Sequence, residues 1–563
     1  MLVVILLTGG FVIDAGPIRF SARRLTGPLL IAIAAWATAA LVGRPVLGAA
    51  AASVFTFLER HALALTLVMA SAAAGAGVAY GTYAASGADA AGYVSQSELL
   101  ESGRLVRDEP LARQVSWPDA TWVFSPLGYR PGANAGDIVP TYPPGLPLTM
   151  AAARVAAGDA GPFLVVPLFG ALAVLCTYAL GARLHSRIAG AIAAALLATS
   201  PILLFQVVQP MSDVPATALW ALALVFALSP LPGSAVAAGA ASGFALLVRP
   251  NLALLAIPVA LACRRGRHRW ACAAGLLPAA GALFLLQWRL LGSPLASGYG
   301  SVQELFTLSN VVPNLRGYAL RLLTGEAPAL GLAVASLAIL ALRRPRTPPF
   351  ATLRSPALMA ACFAAAVLAS YLPYGVFAEW SYLRFLLPAL PLALVLVASL
   401  LVRAAGALPA PARGVMLLAA VVAACSVNIT IAAREQAFNL RRYEARYRTA
   451  GLYLDAVLPA NAVVLAVQQS GSVAHYTSVP IVRWDMLGVD LDTAAATLRA
   501  LGRHPVLLVE DWEAPEIRAR FPASAIARLD WTPRADVGTE TRVRLFDPAD
   551  RDAPGPPATD RLP

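Results

Sequence analysis

Apolar residues along this chain come in long runs separated by short polar breaks. The clearest runs lie near residues 62–84, 162–181, 188–206, 212–229, 233–249, 251–263, 270–291, 323–342, 355–374, 385–402 and 413–433. Most approach the roughly 17–25 residues that a helix needs to cross a bilayer. In lipid the backbone must satisfy its own hydrogen bonds, which a helix does within a single segment. The pattern therefore predicts an all-α polytopic membrane protein with about 11–13 transmembrane helices. Apolar stretches at 1–16, 27–42 and 46–58 predict extra N-terminal membrane helices within residues 1–60, the last short enough to lie along the interface. The start, Met1-Leu-Val-Val-Ile-Leu-Leu, lacks the basic n-region of a cleaved leader, so it reads as an anchor or a truncated first helix.

Two departures from this rhythm stand out. The first is the polar loop 85–161, the longest gap between apolar runs inside the span 61–433. The second begins near Arg434. There, helix-like stretches (440–458, 494–501, 514–521) alternate with short apolar runs at Val463–Val467 and Pro505–Val509. Such alternation predicts a small α/β domain over 434–547. The Pro-, Asp-, Arg- and Gly-rich end, 548–563, reads as a disordered tail.

Composition sharpens the class. The chain is 58% hydrophobic and 13% charged, against about 25% charged in a soluble domain. The net charge of +12 rests entirely on arginine, because the sequence contains no lysine. The arginines cluster in short loops at 183–187, 264–269 and 343–354. That is the distribution of cytoplasmic membrane loops, and it removes the need for a nucleic-acid partner. Counting crossings from these loops puts 85–161, the 209–213 turn, 292–322, 375–384 and the C-terminal domain on the extracytoplasmic side. The arginines of 19–24 run against this orientation. The five cysteines sit in or beside apolar runs without CxxC spacing, so neither disulfides nor a metal site is expected. No Walker A loop, strand-linked GxGxxG, HExxH or GxSxG occurs, which argues against an ATP-driven pump and a dinucleotide enzyme.

The candidate chemistry lies at the outer ends of apolar runs. Asp89, in Ser86-Gly-Ala-Asp-Ala-Ala-Gly-Tyr93, follows the 62–84 run directly. Asp213, in Gln209-Pro-Met-Ser-Asp-Val-Pro215, sits between two runs, where it also suits a helix N-terminus with proline in the first turn. Arg249-Pro-Asn251 and Arg384, in Glu379-Trp-Ser-Tyr-Leu-Arg384, place guanidinium groups on the outer side. Such an arginine snorkels to headgroups, pairs with a carboxylate, or binds a lipid phosphate bidentately. Tyr142-Pro-Pro-Gly145 and Pro147 stiffen the return of the long loop. Gln468–Tyr476 follows a strand candidate, where it suits either a turn with a helix cap or the ligand end of an α/β sheet.

These residues together resemble the GT-C superfamily of polytopic glycosyltransferases, in the bacterial branch of dolichyl-phosphate-mannose protein mannosyltransferases and aminoarabinose transferases. The resemblance rests on Asp89 in the first large outer loop, Tyr-Pro-Pro-Gly-Leu-Pro at its end, Ser-Asp-Val-Pro further on, Arg384 before a late span, and the C-terminal domain. It implies an inverting hexosyl or pentosyl transfer from a polyprenyl-phosphate sugar to an extracytoplasmic glycan, lipid or protein, at a bacterial inner membrane. Asp89 would be the general base, Arg384 and Arg249 would bind the donor phosphate, and Asp213, Tyr93, Tyr142 and Glu379 would position the acceptor. No cofactor or metal is implied. One departure is that many members carry Asp-Glu in the first loop, whereas Ala90 follows Asp89 here. The alternative is a transporter or lipid-linked-sugar flippase, which would favour ionisable groups near the bilayer midplane and repeat symmetry between halves.

Overall fold

The computed structural model describes residues 12–15, 18–21, 53, 55–263, 266–300, 305–343, 354–408, 410–551, 553 and 558–562. The N-terminal span expected over 27–42 lies outside these residues. Val12–Ala15 and Ile18–Ser21 pair as an antiparallel hairpin, where helix was expected.

Among the described residues, five helical segments are long and apolar enough to cross a membrane: Ala62–Ala79, Gly145–Leu184, Arg267–Leu291, Trp380–Gly406 and Arg413–Arg434. Two bent pairs join them, Arg187–Ala198 with Pro201–Val207 (59°) and Leu308–Gly325 with Ala327–Leu342 (84°). Shorter apolar helices at Asp213–Ala227, Ser234–Val248, Pro250–Ala262 and Pro356–Tyr371 complete the bundle. The first bend has a local cause. Ser200 accepts the Leu203 N–H, and Pro201 opens a new helix at its first position, so the previous helix ends there. Residues 292–322, read as a loop from sequence, hold most of the helix Val311–Gly325. Its Val312, Leu315, Leu320 and Leu323 are exposed while Asn314 and Tyr318 are buried.

Glycines set how closely two helices beside the site can approach. A Cβ on Gly239 would lie 1.9 Å from the Cys272 carbonyl oxygen, and one on Gly275 would lie 2.2 Å from that of Val236. Only glycine allows this backbone contact between Ser234–Val248 and Arg267–Leu291, the small-residue packing typical of membrane helices. It draws the sparsely covered helix Arg267–Leu291 against the bundle while most of its length faces outward.

The long loop is an ordered cap. It holds the helix Asp89–Glu101 and a three-stranded sheet in the order Arg107–Asp108, Asp137–Pro140, Tyr129–Pro131. It returns through the helix Gly145–Ala157, which lies ahead of the span expected at 162–181. The C-terminal domain carries a six-stranded sheet ordered Asp560–Leu562, Ala535–Val537, Val543–Phe546, His504–Glu510, Ala462–Leu465, Ile481–Val482. The helices Leu440–Val457, Ser470–Tyr476, Leu491–Ala500 and Ala514–Arg520 accompany it. The central strand His504–Glu510 is buried along the continuous run Val506-Leu507-Leu508-Val509, as a strand covered on both faces requires.

Within the tail expected to be disordered over 548–563, of which 552, 554–557 and 563 lie outside the described residues, the last described stretch is ordered. Asp560–Leu562 adds to the sheet parallel to Ala535–Val537. Tyr453 donates to Asp560 Oδ2 at 2.6 Å, and Thr559 donates to the Pro533 carbonyl at 2.7 Å. These partners come from far away in sequence, so the polar composition of the tail did not reveal them.

Replacing Gly239 by valine should force Ser234–Val248 and Arg267–Leu291 apart. Overpacking of this kind costs about 1–3 kcal/mol, so the unfolding temperature of the detergent-solubilised protein should fall. Replacement of Gly281, whose added Cβ meets nothing within 4 Å, should leave it near that of the parent.

Candidate active site

The Asp89 carboxylate stands in the first turn of the helix Asp89–Glu101. Its Oδ1 accepts a hydrogen bond from the Tyr142 hydroxyl at 2.7 Å, and its Oδ2 accepts one from Arg384 Nη2 at 3.2 Å. Gly92, one turn along from Asp89, makes the first contact sterically available. A Cβ there would sit 2.2 Å from Tyr142 Cε2, so the bare glycine lets the phenol lie across the helix and reach the acid. Burial, and then the neighbouring Asp89 carboxylate, push the Tyr142 hydroxyl well above the usual tyrosine range. It therefore remains a protonated donor.

A second acid–base pair lies alongside. Arg249, at the C-terminal end of Ser234–Val248, pairs with Asp213, the first residue of Asp213–Ala227. The Tyr93 hydroxyl donates to Ser212 Oγ at 2.8 Å, and the Tyr93 ring lies 4.5 Å from that of Tyr142, so the two aromatic residues join the pairs. Phe385 is shared between them, with both guanidinium carbons 5.5 Å from its ring centroid. Arg384 also stands 4.9 Å from the Tyr382 ring and Arg249 5.9 Å from that of Tyr371. Such contacts suit guanidinium groups withdrawn from water.

The two acids differ in access. The Asp89 side chain is 34% exposed, whereas that of Asp213 is 1% exposed. Asp89 can thus meet an incoming molecule, while Asp213 is spent mainly on Arg249. All four charged groups, with Tyr93 and Tyr142, line one cavity of about 760 Å³. Its other wall is apolar and includes Leu283, Phe284, Leu286 and Leu290 of Arg267–Leu291. The cavity therefore has a charged end under the long loop and a greasy flank on the helix that faces outward.

Six of the seven residues singled out from sequence converge here. Glu379 does not: it is exposed, precedes the turns Trp380–Ala389, and is absent from the cavity lining. Its neighbour Arg384 turns inward because the same segment buries Leu383 and Phe385. Each arginine holds a carboxylate, one of the partners that its sequence position suits. Sequence reasoning missed Tyr299, Tyr371, Tyr374 and Tyr382, which also line the cavity. Tyr371-Leu-Pro-Tyr374 and Tyr382 flank Arg384 closely enough that aromatic density there was a usable signal. Tyr299 gave none. It is placed by Gly298, where a Cβ would collide with the Thr141 carbonyl oxygen at 1.8 Å.

Residues 148–289 match the family model of dolichyl-phosphate-mannose-protein mannosyltransferase. The chain shares its fold with ArnT from Cupriavidus metallidurans. The crystal structure of ArnT bound to undecaprenyl phosphate matches at a TM-score of 0.52 and 13% identity, over 86% of this chain and 97% of that one. The apo structure matches at 0.54 and 15%, over 87% and 98%. No curated protein matches by sequence. The likeness to ArnT, at 13–15% identity, is one of fold, and the chain is a multi-pass membrane protein.

Truncating Asp213 to alanine should leave the Arg249 charge buried without its carboxylate. Breaking such a pair costs about 3–5 kcal/mol, a loss to be read as a lower unfolding temperature in detergent. Adding Arg249→Met should restore most of the loss. A double variant no more stable than Asp213→Ala would show that the pair is not coupled as described.

Proposed function

We propose that this protein is a membrane glycosyltransferase that moves a sugar from a polyprenyl-phosphate-linked donor to an extracytoplasmic acceptor. The observation that carries the reading is the contact between Asp89 and Arg384 at the charged end of a cavity with an apolar, outward-facing flank. A donor of this type has two matching parts: a phosphate for the guanidinium groups and a polyprenyl chain for the flank. The shared fold with ArnT, whose crystal structure holds undecaprenyl phosphate, supports a lipid phosphate as ligand. In this reading the long loop and the C-terminal domain face the outside of a bacterial inner membrane, as the arginine-rich loops 183–187, 264–269 and 343–354 favour.

The reaction is a single displacement with inversion. The acceptor hydroxyl gives its proton to the Asp89 carboxylate as its oxygen attacks the anomeric carbon. The bond from that carbon to the phosphate oxygen breaks, and its electron pair leaves with polyprenyl phosphate. Arg384, with Arg249 behind it, stabilises the charge gathering on the phosphate. Arg384 has a second effect. When it turns to the donor phosphate it gives up Asp89, so donor binding frees the base. Tyr142 remains on the other carboxylate oxygen and keeps it aimed. Tyr93 and Asp213 shape the acceptor side, and Asp213, held by Arg249, is the second acid that Ala90 does not provide. Glu379 has no part in this arrangement, and no metal or cofactor enters it.

Asp89→Asn should lower sugar transfer in membranes by about 10²–10⁴-fold with protein level unchanged, measured as labelled sugar entering acceptor together with release of polyprenyl phosphate. Arg384→Gln should chiefly weaken binding of the lipid phosphate. Wild-type turnover in Asp89→Asn would overturn the base assignment. Sugar crossing sealed vesicles without any covalent product would replace the enzyme by a transporter.

A further inference from the structure

The backbone on both sides of Asp89 is held from outside the membrane bundle. The Ala85 N–H donates to the Tyr476 hydroxyl at 2.9 Å. The Tyr476 side chain packs directly on the backbone of the neighbouring helix at Gly451, where an added Cβ would lie 2.7 Å from it. At Gly471 the contact is equally close. A Cβ there would meet the Leu127 carbonyl oxygen at 2.7 Å, Ala91 Cβ at 3.0 Å and the Gly87 carbonyl oxygen at 3.1 Å. Gly87 and Ala91 stand two residues before and two after Asp89. Gly87 has a φ of +54°, so the turn entering the Asp89 helix is one that an ordinary side chain disfavours. Ser470 Oγ accepts the Leu127 N–H at 3.0 Å, which ties a later part of the long loop to the same element.

This grip is anchored in the C-terminal sheet. Gln469 Nε2 donates to Glu510 Oε1 at 2.7 Å, and Glu510 is fully buried at the end of the central strand His504–Glu510. The same carboxylate accepts Arg446 Nε at 3.1 Å and Trp512 Nε1 at 2.7 Å. The Gln468 N–H donates to Glu513 Oε1 at 2.9 Å, and its side-chain Nε2 donates to the Tyr447 hydroxyl at 2.7 Å. The Gln468–Tyr476 segment, which from sequence suits a ligand-binding strand end, thus spends Gln468, Gln469 and Ser470 on protein partners. None of its residues lines the cavity.

We propose that Gln468–Tyr476 of the C-terminal domain is a positioning element for Asp89, with Gly471 and Tyr476 setting the backbone on either side of the carboxylate. The inference rests on Asp89 acting as the base. It assigns the C-terminal domain a role in the chemical step without any contact with substrate. Tyr476 and Gly471 act through the Asp89 helix, so their loss acts on kcat and spares donor binding. Misplacement by a fraction of an ångström matters, because a shift of about 1 Å remote from the chemistry can lower a rate by about 10²-fold.

The test uses full-length protein in proteoliposomes, with undecaprenyl phosphate as the binding probe and labelled sugar transfer as the rate. Tyr476→Phe removes one acceptor oxygen and keeps the ring. Gly471→Ala pushes the Asp89 helix. A fall in kcat of about tenfold or more is expected in both, with undecaprenyl phosphate affinity and donor KM within about twofold of the parent. Gly488→Ala crowds the same domain boundary at Pro118, with a Cβ contact of 3.2 Å remote from Asp89, and should keep the parent kcat. Parent kcat in both Tyr476→Phe and Gly471→Ala would overturn the inference while leaving Asp89 as the base. A parallel loss of kcat, lipid-phosphate affinity and unfolding temperature would also overturn it, in favour of a purely structural contact. Full turnover in Asp89→Asn would instead remove the base assignment, and this inference with it.

Discussion

The ion pair between Asp89 and Arg384 joins the two halves of the molecule at the point where chemistry is proposed. Asp89 comes from the first loop and Arg384 from the approach to a late helix, 295 positions further along the chain. The bundle between them has to pack closely enough for those two side chains to touch. Leu383 and Phe385, buried on either side of Arg384, turn its side chain inward to that contact. A guanidinium beside a carboxylate in a partly dehydrated cavity is stable while the pair is intact and costly once one partner is lost. A phosphate that competes for the guanidinium therefore couples its own arrival to release of the acid.

The second pair, Asp213 with Arg249, does a different job. It is more deeply buried, and it closes the floor beneath Ser212 and Tyr93. Its charges cancel locally, so Arg249 lends less net positive charge to the cavity than its position in the sequence suggests. The two pairs share Phe385, whose ring lies beside both guanidinium groups.

Much of this was legible in the sequence because membrane proteins expose their exceptions. Asp89, Asp213, Arg249 and Arg384 were visible as charges at the ends of apolar runs, where an ionisable side chain needs a reason. Their pairing was not visible, since nothing local records which guanidinium meets which carboxylate across hundreds of residues. Tyr299 was hidden for the same reason: its place depends on Gly298 packing against Thr141. Glu379 misled because closeness to Arg384 in sequence does not place two residues on the same face of a tightly turning segment. The tail strand Asp560–Leu562 was missed because polar composition resembles a loop whenever the partners lie elsewhere, and the helix Val311–Gly325 because Pro313, Arg316 and Gly317 interrupt its apolar run. The C-terminal domain was recognised by its alternation of strand and helix, while its grip on the turn before Asp89 appeared only in three dimensions.

The central claim is that Arg384 exchanges Asp89 for a lipid phosphate. A structure of the protein in lipid nanodiscs with undecaprenyl phosphate tests it directly. The account predicts the phosphate within hydrogen-bonding distance of Arg384, the Arg384–Asp89 contact broken, Tyr142 still on Asp89, and the polyprenyl chain along Arg267–Leu291. A phosphate bound away from Arg384, with the Asp89 pair intact, would contradict it.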